Sequence, residues 1–432
     1  MSRKQAVIII HGIGEQVPMG TLRDFVTSVW TSDKAVHLVD TEVSIWSKPD
    51  NLSKSYELRR LTTSQNKNGV ITDFFEFYWA YMLEDTTYGQ VISWVKTLLV
   101  RSPKTVPPQL RLTYWFLITL IVVSVGLIGL FFYLQGAKGP EIPKWIAGGV
   151  GVLIVPLFSF LVLRVVGDIA RYLHVAPDNI NSRRKIREAG VELIRDLHDP
   201  ARGYERVVVV GHSLGSVIGY DILTHAWPEF NADPKIVAQV PDSLDELERL
   251  AAEPNPDINE VQRLQRNYHR ELNAAGCKWL VTDFVTMGCP ISHAAILLAK
   301  NLDDLKSKQV EREFPTCLPT LEKLTVDSVV NNQFTYPGKK KDSKAYRTPH
   351  HAAVFAPTRW TNLYFPCSMI IKGDIVGGPV CGVMGNGIKD VPVTTTQQRG
   401  YGIHTLYWAQ SAKPDQDSHI DALRKAVNLL DQ

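Results

Sequence analysis

Cysteine is scarce in this 432-residue chain: there are five, an odd number, and no Cys-x-x-Cys pair. That pattern argues against a disulfide framework and against a thiolate zinc site, and it fits a reducing compartment. An excess of one charge is missing too. Forty-seven basic residues against 44 acidic ones leave a net +3, thinly spread, which speaks against a dedicated nucleic-acid binder. Glycine and proline, 29 and 25 residues, follow no period, so collagen-like and low-complexity chains drop out. No phosphate-binding GxxxxGKS, GxxxxGKT or GxGxxG occurs. The N-terminus, MSRKQAVIIIHG, does not read as a signal peptide, because its apolar run is short and leads into a motif rather than a cleavage site. What remains, at 45% apolar and 21% charged residues, is an ordinary globular composition, long enough for one large domain with insertions.

Average hydropathy hides two uncharged runs. Residues 112–134, LTYWFLITLIVVSVGLIGLFFYL, and 145–163, WIAGGVGVLIVPLFSFLVL, are separated by the connector QGAKGPEIPK. At 1.5 Å per residue each run reaches about the 30 Å thickness of a bilayer's hydrocarbon core. A hairpin buried in a soluble core is the other reading, but it asks for a polar face that neither run has. Tyr114, Trp115, Tyr133 and Trp145 sit near the ends, and Gly126, Gly129, Gly148, Gly149 and Gly151 allow close helix packing. Basic residues crowd both outer flanks: Lys96, Arg101, Lys104 and Arg111 before, Arg164, Arg171, Arg183, Arg184, Lys185 and Arg187 after. The positive-inside bias therefore predicts a two-span anchor over 112–163 with both flanking parts, 1–111 and 164–432, in the cytoplasm.

Outside those runs, β-rich stretches alternate with helical ones, the pattern of an α/β fold with a mostly parallel sheet flanked by helices. AVIII (6–10) and RVVVV (206–210) read as strands buried on both faces; 43–46, 73–79, 279–287 and 368–372 are further strand candidates. Residues 182–198 carry helical periodicity. Two stretches, 228–276 (charged and helical) and 292–358 (mixed and loop-rich), are expected to form cap-like insertions.

Directly after RVVVV comes Gly211-His212-Ser213-Leu214-Gly215 and then the helical SVIGYDIL. This is GxSxG between strand and helix, where a strained turn lifts a serine hydroxyl and aims the free amides of a helix N-terminus at a developing oxyanion. On these residues the chain resembles the α/β-hydrolase superfamily, in particular its GHSLG lipase and esterase branch. The resemblance implies an oxyanion loop after the first long strand, and His11-Gly12-Ile13-Gly14-Glu15 looks like it. The backbone amides of Gly12 or Ile13 and of Leu214 would form the oxyanion hole. It also implies the chain order serine, acid, histidine. Asp374, on a Gly-flanked loop past SMIIK, and His404, in YGIHTLYW, fit that order, with Asp390 and Asp283 as alternative acids and His350, His351 and His293 as out-of-order histidines. His212 is expected to pack beneath the elbow, and Glu15 to close the loop or lie exposed; neither is given a chemical role.

The expectation is thus a membrane-anchored serine esterase acting through Ser213, His404 and Asp374, lipase- or phospholipase-like, with a lipid or other acyl ester as substrate. No metal or other cofactor and no nucleic-acid partner is expected. The rivals are a tethered esterase or thioesterase for soluble acyl compounds and an inert hydrolase fold kept for interaction.

Overall fold

The computed structural model describes residues 3–13, 17–38, 43–52, 57–82, 180–231, 242–326, 329–339, 345–367, 373–374, 376–397, 401–410, 413 and 416–431, together with Trp115, Ile118, Thr119, Gly126 and Tyr172. The expected hairpin, apart from four of its positions, lies outside the described residues, as do the strand candidate 368–372 and Glu15. Among the described residues no helix is long and apolar enough to cross a membrane.

Among the described residues eight strands form the central sheet: β1 (Arg3–Ile10), β2 (Ile45–Pro49), β3 (Arg59–Gln65), β4 (Val70–Phe77), β5 (Tyr204–His212), β6 (Val281–Met287), β11 (Arg359–Tyr364) and β12 (Lys389–Pro392). Their order is β12-β11-β6-β5-β1-β4-β3-β2. The six from β12 to β4 run parallel, and β3 and β2 add an antiparallel edge. The chain is therefore an α/β protein with a mostly parallel sheet.

The valine and isoleucine runs follow from burial on both faces. Ala6, Ile8 and Ile10 of β1 join one core with Val207 and Val209, under helices α2 (Ile180–Leu197) and α3 (Leu214–Asn231). Val7, Ile9, Val208 and Val210 join the opposite core, under α1 (Gly20–Val26) and a C-terminal helix, His419–Val427. Successive residues on a strand point to opposite faces, so a sheet covered on both sides asks for continuous apolar runs.

Between β5 and β6 lie α4 (Asp242–Ala251) and α5 (Ile258–Ala274); after β6 come α6 (Ala294–Leu297), α7 (Leu302–Val310) and the hairpins β7–β8 (Glu322–Val326, Val329–Gln333) and β9–β10 (Thr335–Lys339, Ala345–Pro349). The helices α8 (Cys381–Met384) and α9 (the C-terminal His419–Val427) complete the α-helices among the described residues. The two stretches expected as caps bury apolar residues in the first core, the one through Leu244, Leu247, Val261 and Leu264, the other through Leu305, Leu318, Phe334 and Phe355. The β9–β10 hairpin is tied to the C-terminal end of α3, where Asn231 donates to the Pro349 carbonyl (2.7 Å) and Trp227 to that of His350 (3.3 Å). That end stands about 25 Å along the helix from Ser213. This part of the expected cover is attached at the far end of that helix, with apolar residues packed into the core.

β4 ends at Phe77, on the rim where β1 and β5 also end, and the turn Ala80–Met82 packs there against α2. Next to this rim, Glu76 is buried on β4, one carboxylate oxygen accepting the Met19 amide (2.7 Å) and the other without a partner. Burial raises its pKa to about 7, against the smaller opposing effect of the Met19 hydrogen bond. A carboxyl raised in the folded state contributes full stability below its unfolded pKa and loses it as pH rises through 7. Glu76→Gln should therefore stabilise the protein by roughly 3 kcal/mol at pH 8 and hardly at all at pH 4.5. Equal denaturation midpoints for the two proteins at pH 8 would contradict this account.

Candidate active site

β1 lies in the sheet between β4, reached first along the chain, and β5, reached later on its other side. In open α/β sheets such a reversal of strand order leaves a crevice outside the carboxyl ends of the strands, the usual ligand position. Gly12 follows β1 and Ser213 follows β5 at that point.

Ser213 joins β5 to α3 with φ of 51°, a left-handed conformation that non-glycine residues seldom adopt. Its amide donates to the Met287 carbonyl (2.9 Å), and its carbonyl accepts from the Ser216 amide (2.9 Å). The flanking glycines are required by contact. A Cβ on Gly211 would stand 2.6 Å from Cα of Ser216, and one on Gly215 only 2.2 Å from the Ile10 carbonyl oxygen. The elbow thus seats the first turn of α3, the positive end of its dipole, directly on the end of β1.

The loop after β1 lies against the elbow: a Cβ on Gly12 would be 2.9 Å from that of Ser213. His11 braces this loop. Its Nδ1 donates to the Gly12 carbonyl (2.8 Å), its own carbonyl accepts from Trp79 Nε1 (2.9 Å), and the two rings stack 5.1 Å apart. Burial brings its pKa down to about 4, so the ring is neutral at pH 7.

His404, in the short turn Tyr401–Thr405, donates from Nδ1 to Oδ2 of Asp374 at 2.8 Å. A carboxylate only accepts, so this nitrogen carries a proton, and in a neutral imidazole the lone pair is then on Nε2. Tyr407 donates its hydroxyl to the same Oδ2 (2.7 Å), and the Val376 amide donates to Oδ1 (2.8 Å). Burial by itself would raise the carboxyl's pKa; the bonds from His404, Tyr407 and the Gly377 amide outweigh it and hold the value at about 2. Asp374 is ionised, oriented and fully buried.

The main chain of the elbow and this pair come together around Gly288. Met287, which accepts the Ser213 amide, is followed by Gly288 at φ 56°, and a Cβ there would fall 2.8 Å from Cε1 of His404 and 2.9 Å from Oδ2 of Asp374. Three distant segments therefore converge on the carboxyl end of β6. Gly288→Ala should lower turnover of any substrate handled here by at least about a hundredfold, by pushing the imidazole away from its place. Wild-type turnover in that variant would show that the convergence does not matter.

Three of the alternative residues are engaged in other bonds. Asp390 accepts from the amides of Val380 and Cys381 and from Asn362, fixing the loop that supplies Gly377. Asp283 is paired with Arg206 and Arg359 where β5, β6 and β11 begin, at the opposite end of the strands. His350 bonds the Thr320 carbonyl beside the β9–β10 hairpin. Tyr407 and Gly288 were not singled out by the sequence. Tyr407 is three residues past His404 in a short turn, a faint signal, and Gly288 has none. Among the described residues no group of three His, Cys, Asp or Glu is placed to hold a metal ion.

No family model, curated protein or solved structure matches this chain.

Proposed function

We propose that this chain is a serine hydrolase of the α/β-hydrolase type that cleaves carboxylic esters by way of an acyl-enzyme. The observation that carries the reading is the Asp374–His404 hydrogen bond, formed over Gly288 beside a serine on a left-handed elbow. His404 Nε2 takes the Ser213 hydroxyl proton as Oγ attacks the ester carbonyl carbon. The tetrahedral oxyanion is received by the amide of Leu214 and by that of Gly12 or Ile13, each such donor contributing on the order of 3 kcal/mol. Collapse expels the alcohol, which takes the proton from His404; water then repeats the sequence on the acyl-enzyme and releases the acid.

The substrate reading rests on sequence. Two uncharged runs with basic flanks would tether the domain to the cytoplasmic face of a membrane, which favours a lipid ester over a soluble one. Ser213 is only 4% exposed. That burial is also what favours the competing reading, a hydrolase fold kept for binding. A fluorophosphonate probe applied to membranes of expressing cells, followed by peptide mass spectrometry, separates the two. Label on Ser213 in the detergent-extracted membrane fraction is the expected result. An unlabelled serine in folded protein supports the binding reading, and label in the detergent-free soluble fraction removes the membrane tether.

A further inference from the structure

His212 takes no step in the chemistry above, yet it touches each part of the site. It immediately precedes the nucleophile, its Nδ1 faces Gly12 (a Cβ there would be 3.2 Å away), and its Nε2 lies 2.8 Å from the His404 carbonyl oxygen. That oxygen can only accept, so Nε2 carries the hydrogen. The ring is held by His404 and Trp408, each 4.8 Å between centroids, and by Tyr407 at 5.8 Å. It is neutral: burial first, and then the neighbouring His404 ring, lower its pKa to about 3.

Orienting an imidazole takes two fixed points. Asp374 fixes the Nδ1 edge of His404, but with the backbone free the ring could pivot about that bond and swing Nε2 off line. The segment after His404 is anchored elsewhere, Ser28 donating to the Trp408 carbonyl (2.5 Å) and His419 bonding that of Ala409 (2.8 Å). The His404 carbonyl itself is bonded by the side chain next to the nucleophile. We propose that His212 is a positioning residue: its Nε2–H to the His404 carbonyl sets the base at a fixed place relative to Ser213, so that nucleophile and base are registered through two adjacent residues of one strand end. The inference rests on the hydrolase reading for its catalytic consequence, though not for the bond.

Leu and Gln at this position separate the bond from mere packing. Leu fills a similar volume without a donor and leaves a buried carbonyl unpaired, whereas the amide of Gln reaches about as far as Nε2. In detergent-solubilised full-length protein, His212→Leu should lower kcat on a p-nitrophenyl ester about 10- to 100-fold with KM within about twofold. His212→Gln should restore kcat to within about fivefold of wild type. A residue that only packs would instead favour Leu over Gln among these aromatic rings. Amide hydrogen exchange of a 401–410 peptide supplies the readout that needs no activity: faster in Leu, near wild type in Gln. Wild-type kcat and exchange in Leu, or equal losses in two folded variants, overturn the proposal. If the wild type turns over no ester and Ser213 is unlabelled, the hydrolase reading fails and takes the catalytic role with it, while the exchange comparison still decides whether the bond holds the loop.

Discussion

Asp374→Asn is expected to lower turnover by about four orders of magnitude with the fold retained, the size of loss that the same change causes in serine proteases. The reason lies in the donors around this carboxylate. The amides of Val376 and Gly377 and, at Oδ2, Nδ1 of His404 and the Tyr407 hydroxyl all donate to it. An asparagine must place its NH2 against one set. The backbone amides cannot reverse, whereas Tyr407 can rotate and an imidazole can change tautomer. The amide nitrogen will therefore face His404, which accepts at Nδ1 and moves its proton to Nε2. The ring is then no longer a base toward Ser213. Measuring kcat alongside the denaturation midpoint checks this, with Asp390→Asn as the comparison. Asp390 anchors a loop, so its variant should lose stability while keeping turnover within about tenfold of wild type. The reverse pattern would move the acid to Asp390. The lowered Asp374 pKa also contributes roughly 2 kcal/mol, present above the unfolded value of 3.8 and lost as pH falls through about 2, so the stability deficit of the Asn variant should vanish on acidification.

Ser213→Ala should abolish fluorophosphonate labelling and lower ester turnover by about a millionfold, the loss found when the nucleophile of a serine hydrolase is removed. Its structural effect should be small. The bonds that hold the elbow run through the main chain of Ser213, from its amide to Met287 and from Ser216 to its carbonyl, and neither involves the hydroxyl. Alanine tolerates φ of 51° about as poorly as serine, so the strain is unchanged. A denaturation midpoint close to wild type, together with lost turnover, is the expected pair of results. Substantial turnover in this variant would sink the acyl-enzyme outright.

Legibility from sequence followed a physical line. β1 and β5 could be read because strands covered on both faces need unbroken apolar runs, and the elbow because its serine stands between two glycines at a strand-to-helix turn, Gly211 forced by the first turn of α3 and Gly215 by the end of β1. β11 was missed: RWTNLY places Asn362 and Thr361 in the middle of a parallel strand. Asn362 is fully buried, bonded to Thr286, Asp390 and the Gly378 carbonyl, and a buried polar network does not look like a core strand. β12, KDVP, is a four-residue edge, too short to carry a pattern. The antiparallel β2–β3 edge alternates too weakly to announce its partner. Asp374 and His404 were paired by chain order within a resemblance, thirty residues apart, and no local rule would have joined them. Gly288 is the extreme case. Its need for a missing side chain arises only where β6, the Asp374 loop and the His404 turn meet, and no one of those segments encodes it.

The rim at the end of β4 has a consequence for how substrate would arrive. Met82, just past β4, and Ile180, the start of a helix that descends to β5, both lie toward the edge bearing Ser213. On the proposed hydrolase reading, embedding the two uncharged runs 112–134 and 145–163 in a leaflet would bring that edge toward the headgroups. Catalysis would then sample a two-dimensional pool: velocity would track mole fraction in the surface, and diluting the substrate with inert lipid would slow it at constant bulk concentration.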